Sequence, residues 1–165
     1  MLQPLQEWVC DTCNQLIRRP AEGYVEWVED LTTTLSSGFH LVHAGHYSSF
    51  RQANPRAEAS CYQHQHAQGR RNLPLDSFLG TAGLVRLLAF VDVGKYHEPT
   101  YSGVHFASGR KFAELFRRLH LPFYEKARLY WATAQANGYF EGANEDWLYR
   151  PEILKQLIET YGSQP

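Results

Sequence analysis

Three cysteines and two histidines carry the clearest chemistry in this sequence. Cys10 and Cys13 form a Cys-x-x-Cys pair, and Cys61 and His64 form a second pair with the same spacing. Cysteine sulfur and histidine nitrogen are preferred ligands of Zn²⁺, and two such pairs supply the four ligands of one tetrahedral site. His43 competes with His64 for the fourth place, and spacing alone does not decide between them. The sequence therefore predicts a structural zinc ion held by four of these five side chains.

The segments between the two pairs have the residue pattern of a β-hairpin. Residues 24–29 and 39–43 are rich in aromatic and β-branched side chains, and the Thr/Ser/Gly segment 32–38 between them is typical of a connecting loop. Asn14 follows Cys13, where a metal-binding turn becomes left-handed. Asparagine tolerates that conformation better than most residues, so the turn is compatible with this sequence.

The order of these features, a ligand pair, a hairpin and a second pair, resembles that of a zinc ribbon over roughly residues 6 to 68. The resemblance implies that a metal ion stabilises a small β module. In a ribbon the end of the second strand returns to the metal, which is why His43 competes for the fourth place. Two features depart from the usual pattern: the separation of Cys13 from Cys61 is longer than the commonest spacings, and neither pair contains glycine.

A site with four protein ligands stabilises a fold, whereas a catalytic zinc site keeps one position for water. A catalytic version here would use three ligands with Glu26 or Glu58 as a base, but the sequence contains no His-Glu-x-x-His or His-x-Glu motif. Two alternatives need no metal. The cysteines could be small buried thiols, or Cys10 and Cys13 could form a redox dithiol, a role that favours a position at the start of a helix.

Composition limits the class of protein. The chain has 165 residues, with 16 basic and 17 acidic side chains, and this near-neutral balance disfavours general nucleic-acid binding. We expect no signal peptide, because the first residues lack a basic segment followed by an apolar one. An odd number of cysteines without such a signal disfavours a disulfide framework and predicts a reducing, cytoplasmic location.

After residue 72 the pattern becomes helical. Ser108 is a candidate N-cap for an amphipathic helix that Pro122 would end, and the last helix should begin near Pro151. We therefore predict an α+β fold in which a zinc-ribbon-like β module, residues 1–72, packs on a small helical bundle, residues 73–165.

Six cations in the helical half form a second candidate site: Arg110, Lys111, Arg117, Arg118, Lys126 and Arg128. They could form a face that contacts phosphate groups of nucleic acid. The competing interpretation, the solvated side of two amphipathic helices, is favoured because acidic residues balance the total charge. A Gly/Pro-containing loop with His97 and His105 is a further candidate site, since loops often carry function.

These observations favour a non-enzymatic, zinc-stabilised binding or adaptor protein whose partner is another protein. The alternative is a nucleic-acid-binding protein that uses the six cations. A second alternative is a small metal-dependent hydrolase, in which the metal would remain accessible to water.

Overall fold

The computed structural model describes residues 3–48, 61–91 and 104–162. Within them, two antiparallel sheets precede the helices. The first sheet pairs β1 (Trp8–Val9) with β2 (Leu16–Ile17). The second has the strand order β4-β3-β5, with strands β3 (Gly23–Glu29), β4 (Ser36–His43) and β5 (Arg70–Pro74).

The predicted hairpin is present as β3 and β4, joined by a loop over residues 30–35. The alternation of strand side chains places Val25 and Trp27 in the core. The third strand, β5, was not predicted, because its residues Arg70 and Arg71 read as part of a polar loop. It lies at the edge of the sheet, where one side of a strand faces solvent and charged side chains are well tolerated.

Six helices follow the second sheet in the described part of the chain. They are α1 (Gly80–Leu88), α2 (Gly109–His120), α3 (Tyr124–Ala127), α4 (Trp131–Ala136), α5 (Glu145–Leu148) and α6 (Pro151–Tyr161). The Ser108 hydroxyl accepts a hydrogen bond from the backbone N–H of Lys111, so the predicted N-cap of α2 is confirmed. None of the described helices is long and apolar enough to cross a bilayer.

The sheets and helices together confirm the predicted α+β class. Two clusters of buried side chains pack the sheets and helices together. The sheet core consists of Trp8, Cys10, Ile17, Val25, Trp27, Leu41, Val42, Cys61, Leu75, Phe78, Leu87, Phe112, Leu115 and Leu119. The C-terminal core consists of Tyr124, Ala127, Ala134, Leu154 and Leu157. Because α2 contributes to the sheet core, that core contains residues from both sides of position 72, and the two-domain division stays a prediction.

Close packing of α1 on the preceding turn gives a prediction for Gly83. A Cβ atom at this position would lie 1.9 Å from the carbonyl carbon of Phe78, so the backbone would have to move. We expect Gly83→Ala to destabilise the protein by about 1–3 kcal/mol, the usual cost of overpacking. The control is Gly109→Ala, whose Cβ would be 3.6 Å from its nearest neighbour, an ordinary contact. Equal urea midpoints for the two variants would contradict this packing.

Candidate metal centre

Four of the five candidate ligands converge at the end of the β3–β4 hairpin. The ligand atoms of Cys10, Cys13, His43 and Cys61 all lie within 4.8 Å of one another. The distance from Cys13 Sγ to His43 Nδ1 is 3.4 Å. A tetrahedral ion with its usual bond lengths would hold sulfur and nitrogen ligands about 3.5 Å apart. The cluster therefore has the ligand types and the size of a site that could hold a metal ion.

The Cys-x-x-Cys turn is formed by the β1–β2 hairpin. The Cys10 N–H donates to Gln15 O over 2.9 Å, and the Asn14 N–H donates to Cys10 O over 3.0 Å. Asn14 has a φ of 56°, the left-handed conformation that the sequence anticipated at this position. These hydrogen bonds close the turn, so the sulfur atoms of Cys10 and Cys13 both lie in the cluster.

His43 is oriented by the hairpin that carries the turn. It ends β4, and its Nε2 lies 3.2 Å from the carbonyl oxygen of Leu16 in β2. Since a carbonyl can only accept, we assign a ring proton to Nε2, which leaves Nδ1, facing Cys13 Sγ, as the nitrogen that would bind a metal ion. Metal-ligating histidines commonly donate their second ring N–H to such a partner, because that bond fixes the tautomer and the ring orientation.

Glu26, in the middle of β3, positions the segment that follows Cys61. Its side chain is fully buried. One carboxylate oxygen accepts the backbone N–H of Gln63 over 2.8 Å, and the other accepts that of His64 over 3.0 Å. The guanidinium of Arg70 lies 3.3 Å away and compensates the buried negative charge. Sequence reasoning missed this role, and the signal was a carboxylate between the apolar residues Val25 and Trp27 of a strand.

His64 lies outside the cluster. Its Nε2 is 2.9 Å from the carbonyl oxygen of Gly38, and its ring is 5.2 Å from that of His40. The hydrogen bonds to Glu26 turn the chain after Cys61 toward β4, away from the other sulfur atoms. The structure therefore places His43, and not His64, beside the three cysteines.

Contacts within the cluster shift the pKa values of Cys10, His43 and Cys61. A hydrogen bond from the Cys61 thiol, opposed by burial and helped by a bond from His43, lowers the pKa of Cys10 to about 3. The same contact raises the pKa of Cys61. The hydrogen bond with Cys10 raises the pKa of His43 to about 9. The cluster thus stabilises a thiolate, the form of cysteine that binds metal ions.

The six predicted basic residues do not form one face. Arg118 is buried, with bonds of 2.7 Å and 2.9 Å to Asp11, 2.8 Å and 2.9 Å to Glu125, and 2.9 Å to the carbonyl of Val9. Arg128 pairs with the same Glu125 carboxylate at 2.9 Å. The Arg118 guanidinium is thus already bound by two carboxylates and a carbonyl, and it joins α2 to the first hairpin and to α3.

The other four cations are separated from this network. Arg110 and Lys111 are exposed in the first turn of α2, whereas Lys126 belongs to α3 and lines a different cavity. The Arg117 guanidinium lies 3.8 Å from the centroid of the Tyr149 ring. Arg110, Lys111 and Arg117 border one cleft, and it is this smaller group that could bind an anion.

His105, from the remaining candidate loop, is not a member of the cluster. His97 lies outside the described residues. The backbone carbonyl of His105 accepts a hydrogen bond from Ser36 over 2.8 Å, which ties the loop before α2 to β4.

Comparisons with protein-family models, with curated proteins and with solved structures give no significant match to this chain. The metal-binding capacity of the centre is therefore indicated by its own side chains alone. Those side chains, three thiols and one imidazole at metal-binding separation, make up a Cys3His cluster.

Proposed function

We propose that Cys10, Cys13, His43 and Cys61 hold a structural zinc ion in a binding protein that is not an enzyme. The observation that carries the zinc proposal is the convergence of three sulfur atoms and one imidazole nitrogen within 4.8 Å. Sulfur-rich tetrahedral sets are typical of zinc and of iron–sulfur centres, and Cys3His is an established structural zinc set. The Cys-x-x-Cys turn, the β3–β4 hairpin and the position of Cys61 beside Cys10 and Cys13 also support the resemblance to a zinc ribbon.

A structural role is supported over a catalytic one by the closed ligand set. Cys10 and Cys61 are fully buried, His43 is 4% exposed and Cys13 is partly buried, so the four protein ligands would occupy all four tetrahedral positions of the ion. Glu26, proposed from the sequence as a base for a hydrolase, uses both carboxylate oxygens to bind backbone N–H groups. Glu58, the other proposed base, lies outside the described residues. The hydrolase therefore ranks below a binding role.

The partner is proposed to be another protein, because net charge is close to zero and Arg118, one of the six predicted phosphate contacts, is buried. Nucleic-acid binding through the exposed cations remains the second proposal. The three cysteines are free thiols, which is consistent with the proposed cytoplasmic location.

Replacing the two competing histidines separately tests the ligand set. We expect His43→Gln to reduce zinc affinity strongly, because it removes a ligand, and to leave less than one zinc per chain after dialysis. The matched His64→Gln should keep one zinc per chain, since the His64 ring lies against Gly38 and His40 and is not part of the cluster. Elemental analysis of both variants provides the measurement. Zinc loss from His64→Gln with retention in His43→Gln would reverse the assignment.

A further inference from the structure

A cleft of about 550 Å³ lies between the two ligand-bearing loops and the helical half. Asp11, between the ligands Cys10 and Cys13, and Gln63, two residues after Cys61, form one side. Arg110 and Arg117 of α2 contribute to the other. Gln63 Nε2 lies 3.3 Å from the carbonyl oxygen of Asp11, so the two loops form a continuous wall. The volume lies within the usual range for ligand sites, about 300–1,000 Å³.

The cleft has an excess of positive charge that its own carboxylates do not neutralise. Of the acidic groups that line it, Asp11 is paired with Arg118, and Glu114 accepts a hydrogen bond from the Tyr124 hydroxyl. By contrast, no described carboxylate lies within ion-pair distance of three of its cations, Arg110, Lys111 and Arg117. A low-dielectric concave surface lined by one sign of charge focuses its field on a ligand of the opposite sign.

Two of these cations lie where they do not help the fold. Arg110 and Lys111 occupy the first turn of α2, which contains no acidic residue. The N-terminus of a helix carries partial positive charge, so cations there are unfavourable and anions favourable. A local violation of this preference is expected where function requires it. The arrangement therefore adds the helix dipole to the positive field of the cleft.

The aromatic side chains of the cleft disfavour a nucleobase. Trp131 stacks with Phe140 at 4.5 Å and with Tyr149 at 5.8 Å between ring centroids, and Tyr149 also stacks with Arg117. A base would have to displace one of these contacts before it could stack. The contact with Tyr149 holds the Arg117 guanidinium in the cleft, and its N–H groups suit carboxylate or phosphate oxygens.

We propose that this cleft binds an acidic segment of a partner protein, whose oxyanions contact Arg110, Lys111 and Arg117. The inference deepens the proposed function, on which it rests for a protein partner. The oxyanion can be a carboxylate or a phosphorylated side chain, since each can offer a guanidinium two oxygen atoms for a bidentate pair. Because the ligand-bearing loops form one wall, the cleft should depend on an intact metal centre.

Charge reversal in the first turn of α2 tests this inference. The probes are fluorescein-labelled octaglutamate, a labelled peptide with two phosphoserines, and labelled oligo(dT) of eight nucleotides, measured by anisotropy at 50 mM salt. We expect Arg110→Glu with Lys111→Glu to weaken binding of at least one peptide tenfold or more. The melting temperature should be unchanged or higher, because acidic residues suit this helix end. Tighter binding of the phosphopeptide would identify phosphate as the oxyanion, and tighter binding of octaglutamate would identify carboxylate.

The matched control is Arg18→Glu with Lys155→Glu, which changes net charge equally at two exposed positions outside the cleft. It should alter peptide affinity less than twofold. Absence of peptide binding, equal loss in both double variants, or tighter binding of oligo(dT) than of either peptide would overturn the inference. Zinc is measured on the same preparations. One zinc per chain without peptide binding rejects only the cleft. Peptide binding without zinc rejects the metal proposal and the dependence of the cleft on the metal centre, but leaves the cleft itself as the binding site.

Discussion

Removal of zinc by a chelator is expected to unfold the sheet core. Two of its members, Cys10 and Cys61, are proposed ligands, and the two-residue strands β1 and β2 hold the Cys-x-x-Cys turn by few backbone bonds. Structural zinc contributes on the order of 10 kcal/mol to folding, which is comparable to the whole stability of a domain. The metal-free protein should therefore lose the near-ultraviolet circular dichroism of Trp8 and Trp27, both buried in this core.

The variant Cys13→Ser should have the same effect without a chelator, because it removes one thiolate ligand. Thiolate ligands must be deprotonated to bind zinc, and a serine hydroxyl is not deprotonated at neutral pH. The matched control is Thr12→Ser, which keeps the hydroxyl that bonds to Cys61 O in the same turn. For the chelated, unmodified protein, recovery of the near-ultraviolet circular dichroism on addition of zinc would show that the loss was reversible. Unchanged melting after complete removal of metal would contradict a stabilising role.

The second large effect is expected at Arg118, which joins three parts of the fold. Its side chain is 6% exposed and bonds to Asp11 and Glu125, and its backbone carbonyl accepts the Trp8 indole N–H over 3.1 Å. Burial alone would raise the pKa of Asp11, but a hydrogen bond from His40 and the Arg118 charge hold it well below its usual range. Both carboxylates therefore depend on this guanidinium.

Arg118→Met should cost about 3–5 kcal/mol of unfolding free energy, because it removes the buried partner of two carboxylates and leaves them only the more exposed Arg128 as an arginine partner. Urea denaturation measures this change. Arg110→Met, an exposed position on the same helix, should change stability by less than about 0.5 kcal/mol. Adding Glu125→Gln to Arg118→Met should recover part of the loss, since the neutral amide is cheaper to bury than a charge. A cost below about 1 kcal/mol for Arg118→Met would contradict the structural importance of the ion-pair network.

Local features were the part of this structure that the sequence could predict. The β3–β4 hairpin, the Ser108 N-cap and the turn at Asn14 all follow from short-range patterns and were present in the structure. The choice between His43 and His64 was not predictable from spacing. Which of the two lies beside the cysteines depends on the position of the β1–β2 hairpin beside β4 and on the bonds of Glu26, which are contacts between distant segments.

Arg118 was predicted as an exposed cation for the same reason. It lies near the end of an amphipathic helix, where basic residues complement the helix dipole, so local reasoning places it in solvent. Its partner Asp11 is distant in sequence and reaches it only when α2 packs on the first hairpin. Buried ion pairs of this kind depend on tertiary packing, so the sequence pattern of a single segment does not predict them.

The proposed zinc centre is tested most directly by X-ray absorption at the zinc edge of the purified, full-length protein. The account predicts one zinc per chain bound by three sulfur atoms at about 2.3 Å and one imidazole nitrogen at about 2.0–2.1 Å. A shell with fewer than three sulfur atoms, an oxygen ligand from water, or no bound zinc would contradict it.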